Sequence, residues 1–378
     1  MSIFRSAAVI SGMTLISRIT GLIRDILIAR FFGVNGDTDA YYVAFRLPNL
    51  LRRLFAEGAF QQAFVPMLAD AKSTKAQDEA KTFIDRVASL LASVVLLISV
   101  LGSLCAPILV WIIASGLYEE PQTFTTASQL TRIMFPYIFF MSMVALSSSI
   151  LNTWKEFAIP AAVPILLNLS LICATLFLAP HMERPIFALA IGVMAGGFLQ
   201  LAVQIPALWK RGLLPKPVSP LTALKDPTVR RVLKLMVPAL FAVGVAHISI
   251  LINTNIASFL AEGSVTWLTY ADRLMEFPTA LLGVALGTVL LPSLSAAFAK
   301  GSMDKYNALL NWGLKLIIAF AIPAALGLAF LSDALVSVLF QSKLFGPNDV
   351  VQTSNAVLGY SIGLIGLIGI KILAPGFY

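Results

Sequence analysis

Charge is what this sequence has least of. Asp, Glu, Lys and Arg make up 12% of its 378 residues, about half the share found in soluble domains. Mean hydropathy is +0.87, so a soluble globular fold is excluded. There are two cysteines, Cys105 and Cys173, and both fall in apolar runs. They read as small packing residues and exclude a disulfide or metal framework. Histidine is equally scarce: His181 lies in a loop and His247 stands alone in an apolar stretch. With no HExxH, no GxxxxGK[ST] and no Ser/His/Asp grouping, an enzyme, a resident metal and a cofactor are not expected. Without an ATP-binding module, vectorial work would draw on an ion gradient, the membrane potential or the substrate's own gradient. Strand-length alternation is missing too, which excludes an outer-membrane barrel. Basic residues are not interleaved with aromatics along a stripe, so nucleic acid is not an expected partner. The first apolar run follows Arg5, but Ser11, Thr14, Ser17 and Arg18 interrupt it and no cleavage pattern follows. It reads as an uncleaved first span.

What the sequence has is apolar runs of membrane-crossing length. The fold class they predict is an all-α polytopic membrane protein with about ten transmembrane helices. The expected spans are 6–32, 38–69, 84–115, 128–151, 158–179, 186–209, 235–260, 265–298, 307–340 and 353–376. The longest hydrophilic connection carries Lys210, Arg211, Lys216, Lys225, Arg230, Arg231 and Lys234, with four prolines. It divides the chain into an N-terminal lobe (1–209, six helices), a basic cytoplasmic linker (210–234) and a partial C-terminal lobe (235–378, four helices). Loop cations fall on the side of the N-terminus: Arg5, Lys72, Lys75, Lys81, Lys155, the linker, Lys300 and Lys305. The opposite loops carry mainly Asp37, Glu119, Glu120, Glu183, Glu262, Asp333 and Asp349. By the positive-inside rule the N-terminus is cytoplasmic.

An internal repeat agrees with two lobes. Ala44-Phe-Arg46-Leu-Pro48 and Phe64-Val-Pro66-Met-Leu68 return as Ala271-Asp-Arg273-Leu-Met275 and Leu290-Leu-Pro292-Ser-Leu294, about 227 positions on. Six spans separate the copies, so both enter the membrane in the same direction. That parity predicts pseudo-symmetric lobes around a central cavity, the second lobe incomplete.

The few charges present sit where a spanning chain tolerates them least. Arg18, Arg24, Arg46, Arg52, Arg53 and Arg273 lie inside or against apolar stretches, and an arginine at the centre of a spanning helix costs roughly 2.5–3.5 kcal/mol on insertion scales. Ser11, Thr14, Arg18, Gly21 and Asp25 share one helical face, as do Asp39, Tyr42, Arg46, Asn49 and Arg53, with Glu57 a turn further. Thr266, Thr269, Arg273 and Glu276 form a third stripe beside Asp272. Three readings fit. The arginines meet an anionic, phosphate-bearing substrate in a wet cavity; or they form ion pairs, Arg18 with Asp25 and Arg273 with Glu276; or Arg52, Arg53 and Glu57 snorkel to headgroups. Pro48, Pro278 and the pairs Gly192-xxx-Gly196 and Gly359-xxx-Gly363 read either as kinks for moving lobes or as close helix packing.

Four dispersed motifs carry a family resemblance: Ser17-Arg18-Ile-Thr-Gly21-Leu-Ile-Arg24-Asp25; Asp39-Ala-Tyr-Tyr-Val-Ala-Phe; Leu47-Pro48-Asn49-Leu-Leu-Arg52-Arg53-Leu-Phe-Ala-Glu57-Gly58; and Ala271-Asp272-Arg273-Leu-Met-Glu276-Phe-Pro278. In these the chain closely resembles the MurJ (MviN) family of the superfamily that also holds multidrug and oligosaccharide-lipid exporters. The resemblance implies a flippase of the bacterial inner membrane. Its cargo would be lipid II, the undecaprenyl-pyrophosphate-linked disaccharide-pentapeptide, with membrane lipids and cell-wall synthesis proteins as further partners. It further implies that Arg18, Arg24, Arg52, Arg53 and Arg273 are cavity arginines and Asp39 the functional acid. Asp25, Arg46, Glu57, Asp272 and Glu276 would be supporting charges. Family members have about fourteen spans, so the resemblance also implies that helices are missing after the tenth. The alternatives are an exporter of another polyprenyl-linked sugar or amphiphile, and a non-transporting fragment or scaffold.

Overall fold

The computed structural model describes residues 3–52, 59–74 and 77–373. They fold as helices, with no strand among the described residues. Two compact units form, one of Met1–Phe31 with Asn35–Glu262, the other of Phe32–Val34 with Gly263–Tyr378. The first unit holds α1 (Ile3–Phe32), α2 (Gly36–Arg52), α3 (Ala59–Thr74), α4 (Gln77–Leu104), α5 (Ala106–Ile113) and α6 (Pro121–Met134). It continues with α7 (Tyr137–Thr153), α8 (Ala158–Cys173), α9 (Phe187–Ala202), α10 (Ile205–Lys210), α11 (Pro220–Lys225) and α12 (Pro227–Ser258). The second holds α13 (Ser264–Ala299), α14 (Met303–Leu316), α15 (Ile322–Phe330), α16 (Ser332–Phe340) and α17 (Pro347–Leu373).

Among the described residues, six helical lengths are long and apolar enough to cross a membrane: Asp78–Leu104, Pro121–Thr153, Ala158–His181, Phe187–Lys210, Met303–Phe330 and Pro347–Ile370. Helix α1 carries Arg18, Arg24, Asp25 and Arg30 among its described residues. Two lengths contain a π turn, Ala174–Leu178 after α8 and Ile317–Ala321 before α15, a local widening that a straight apolar pattern does not announce. The expected span 307–340 is in fact two helices: the long run stops at Phe330, Leu331 leaves the helix, and the Ser332 hydroxyl donates to the Ala329 carbonyl as α16 begins.

Lipid is as apolar as leucine, so burying leucine against leucine gives little net drive. Close backbone approach and polar ties do more. Gly192 and Gly196 on α9 provide that approach to α8. A Cβ on Gly192 would lie 2.8 Å from the Ala174 Cβ, and one on Gly196 2.8 Å from the Leu167 Cδ1. The Ser170 hydroxyl donates to the Gly192 carbonyl at 2.7 Å across this seam. Gly359 and Gly363 on α17 meet no atom within 4 Å among the described residues, so the close approach is seen for the first pair.

The basic connection is tied down. Leu213, Ala223, Val229 and Val232 bury in a core with Phe60, Phe64, Phe83 and Ile84 from α3 and α4. Two α4 side chains one turn apart hold the segment before α11. Asp85 accepts from the Lys216 backbone N–H at 2.7 Å, and the Ser89 hydroxyl accepts from that of Val218 at 2.8 Å. Asp226 caps α12 by accepting from the Thr228 N–H at 2.7 Å and also receives Arg86. Burial pulls the Asp226 carboxyl's pKa upward, but the Arg86 and Thr228 hydrogen bonds and the Arg86 charge outweigh it and hold it below the ordinary value.

Candidate functional site: a braced arginine in the first helix

The polar face of α1 contains a node. The Arg24 Nε and Nη2 both donate to the Asp25 Oδ1, at 2.9 and 2.6 Å, and Nη1 donates to the Asn168 Oδ1 of α8 at 3.0 Å. Asn168 returns the tie, its Nδ2 donating to the Ser17 carbonyl at 2.9 Å and the Thr20 hydroxyl at 3.1 Å. Gly21 lies beside Asn168, where even a Cβ would only touch the Asn168 Nδ2, at 3.5 Å. Asp25 and Asn168 are buried, and the Arg24 side chain is 12% exposed. Two helices thus fix one guanidinium in a defined orientation. A guanidinium carries five N–H donors, and the Asp25 and Asn168 contacts engage three.

Asp25 therefore pairs with Arg24, not with Arg18. Arg18 lies seven residues before Asp25, about 10.5 Å along the helix. It is exposed, with no ion pair among the described residues. The hydroxyls of Thr14 and Thr20 turn back onto carbonyls of their own helix, those of Ile10 and of Ile16 and Ser17.

Asp39 is buried in the first turn of α2. Asn35 positions that turn through a reciprocal cap: its side chain accepts from the Thr38 N–H at 3.0 Å, and the Thr38 hydroxyl accepts from the Asn35 N–H at 2.9 Å. The Glu262 carboxylate takes the Gly36 N–H, an anion where the helix dipole favours one. Gly36 itself is required here, because a Cβ would fall 2.5 Å from the Thr123 Oγ1. Arg46 is half-buried on α2. Arg52 ends that helix with its side chain outside the described residues, and Arg53 and Glu57 lie outside them altogether.

In the second unit, the Arg273 Nη1 donates to the Glu276 Oε2 at 2.9 Å, one turn away on α13, with side chains 39% and 45% exposed. Asp272 is half-buried beside them. Tyr270, on the same helix, is buried against Phe340 and Phe345, and the Trp267 Nε1 donates to Asp349 of α17 at 3.0 Å. The pairing expected between Arg273 and Glu276 is present.

The sequence reading missed Asn168, although one signal was there: a lone amide in the run Ala158–Cys173. It also passed over Gln200 and Gln204, buried on α9 and beyond it. Gln200 donates to the Val163 carbonyl at 3.0 Å, and Gln204 receives the Ser148 hydroxyl at 3.1 Å.

Comparison with known proteins places this geometry. The family model described as lipid II flippase MurJ matches residues 28–378. The lipid II flippase MurJ of Burkholderia cenocepacia is 52% identical over 379 residues, covering 100% of this chain and 73% of that protein. A probable lipid II flippase MurJ of Vibrio cholerae is 40% identical over 383 residues, covering 100% and 72%. A solved structure of lipid II flippase MurJ in an inward closed conformation superposes with a TM-score of 0.84 at 30% identity, covering 97% of this chain and 75% of the other. An inward-facing multidrug resistance MATE transporter of the MOP superfamily shares the fold alone, at a TM-score of 0.69 and 12% identity over 98% and 84%. The four sequence motifs, the helical architecture of the described residues and these matches lead to one assignment: the chain belongs to the MurJ lipid II flippase family.

Proposed function

We propose that this chain moves lipid II from the inner to the outer leaflet of the bacterial cytoplasmic membrane by alternating access, its arginines taking the pyrophosphate. It is a multi-pass transporter rather than a catalyst, with its N-terminus in the cytoplasm. The observation that carries the pyrophosphate assignment is Arg24. Asp25 and Asn168 hold its plane while two N–H donors stay available, the paired arrangement that suits a phosphate's oxygens. A charge this far from water is costly, and the attraction to a bound anion is correspondingly strong. Arg18, exposed on the same helix, offers a second fork about 9 Å away. Arg273 supplies a third guanidinium, and Asp39 the acid. Arg52 and Arg53 complete the proposed set.

The test is replacement of the resident flippase by this chain in cells, reading growth and the exposure of lipid II on the outer face. Wild type is expected to support both. Arg24→Ala and Arg18→Ala are expected to insert into the membrane yet leave the precursor inside. Normal growth and normal outer exposure with both variants would remove the pyrophosphate assignment. Failure of the wild-type chain itself would instead count against the transport reading.

A further inference from the structure

The functional reading leaves unused the cations of the connection between α10 and α12. From 210 to 234 the acid is Asp226 alone, against seven Lys and Arg. Asp226 is taken by Arg86 of α4, and Arg211 by Glu156. Lys216, Lys225 and Arg230 are exposed, with no ion pair among the described residues. The short helix α11 among them turns an apolar side outward. Its Ala223 is buried in the core shared with α3 and α4, whereas Leu221 is 73% exposed and Leu224, one turn on, is exposed as well.

Depth comes from α4. Its exposed apolar side chains begin at Val94 and continue through Leu97, Leu101 and Leu104 to Ile112 of α5. That band is about 27 Å long, close to the thickness of a bilayer's hydrocarbon layer. Ser89 lies about 7.5 Å before Val94, on the cytoplasmic side, the depth of a headgroup layer. The connection climbs α4 toward that level and descends again. Asp85 holds the Lys216 N–H, Ser89 one turn higher holds the Val218 N–H, and Arg86 holds Asp226. Helix α11 is the crest between them. Cations flank it on the water side, Lys216 where the chain rises and Lys225 where it falls. The Arg230 Nε donates to the Leu224 carbonyl at 2.7 Å, which holds a third cation at that second end. Helix α12 repeats the order, since Arg230 and Arg231 precede its first exposed apolar side chains, Leu233 and Leu235.

We propose that α11 is a foot on the cytoplasmic leaflet and that its partner is the anionic phospholipid there. Leu221 and Leu224 enter among the first acyl carbons, while Lys216, Lys225 and Arg230 meet phosphates nearer the water. Cations outermost and leucines innermost match the order of phosphate and acyl chain in that leaflet. Each basic side chain at such a surface adds an attraction to acidic lipid that salt screens. An acidic soluble protein would match the charge, but it would have to reach leucines already at headgroup depth. The inference needs the membrane reading of the chain and is independent of what the chain transports.

The experiment is electron paramagnetic resonance on the whole chain in vesicles, with a nitroxide on Thr222→Cys and with Cys105 and Cys173 changed to Ala. Collision with oxygen, which partitions into lipid, is compared with collision with a water-soluble nickel chelate. In vesicles of equal parts phosphatidylcholine and phosphatidylglycerol, oxygen collisions are expected to dominate. In phosphatidylcholine alone at the same salt, nickel access should rise at least about twofold. Lys225→Gln should produce a rise in the mixed vesicles, and so should high salt on the unsubstituted foot. Leu221→Gln should raise nickel access in both vesicle types, and it supplies a second reading should Lys225→Gln not stay folded. Equal nickel access in the two vesicle types, or no change with salt, would overturn the acidic-lipid assignment. A nitroxide dominated by nickel in both would overturn the foot itself.

Discussion

Arg24 and Arg273 are the same residue type, each beside a carboxylate, yet their surroundings differ. Arg24 is 12% exposed and is tied to a second helix through Asn168. Arg273 is 39% exposed and pairs with Glu276 on its own helix. A pair one turn apart and this open to its surroundings contributes at most about 1 kcal/mol. Breaking a buried pair by removing one partner costs roughly 3–5 kcal/mol, because a charge is left behind. On the proposed reading the first arginine would serve architecture and cargo together, and the second cargo with little structural consequence.

Substitutions can separate those roles. Arg24→Ala should have the largest effect, abolishing outer exposure of lipid II and lowering the thermal midpoint of the purified chain by several degrees. A wild-type midpoint would show that the node is not structural. Arg273→Ala comes next. It should reduce transport at least about tenfold while changing stability by no more than about 1 kcal/mol, and a large drop in stability would erase the contrast between the two sites. The glycine pairs give a smaller, purely structural version of the same comparison. Gly196→Ala should cost about 1–3 kcal/mol, since the added carbon meets Leu167. Gly363→Ala, facing no atom within 4 Å, should be neutral or slightly stabilising, because alanine favours helix. Equal effects in chemical unfolding would contradict the packing assigned to α8 and α9.

The smallest effect concerns the basic connection. Asp226→Ala removes the cap of α12 and should cost about 1 kcal/mol. Because the native Asp226 carboxyl lies below its ordinary value, its stabilising contribution is complete above the unfolded value of about 3.9. It is lost as pH falls through the native one. Asp226→Asn should flatten that part of the acid stability profile, and a profile identical to wild type would show that the cap carries no charge-dependent share.

Much of this was legible in the chain. Apolar length announced the membrane helices, and arginines in apolar runs announced Arg24 as a residue whose cost needed a reason. Ser17, Thr20 and Arg24 stand at steps of three and four, a spacing that shares one helical face, and all three meet Asn168, Ser17 through its carbonyl. The partner itself was not legible, because a single asparagine 144 positions away leaves no local period to read. Helical spacing also suggested Arg18 for Asp25. The observed partner is Arg24, whose long side chain reaches sideways to its neighbour while also bridging to α8. The break at Leu331 was hidden because only Ser332 and Asp333 interrupt the run there, and apolar residues resume at Ala334. The π turns were hidden for a related reason, since they alter hydrogen-bond register without altering composition.

The most direct test of the account is the affinity of the purified chain for lipid II, measured for wild type and for Arg24→Gln shown to be folded. The account predicts at least tenfold weaker binding in the variant, about 1.4 kcal/mol, with undecaprenol bound equally poorly by both. Equal affinity for lipid II in the two proteins would contradict it.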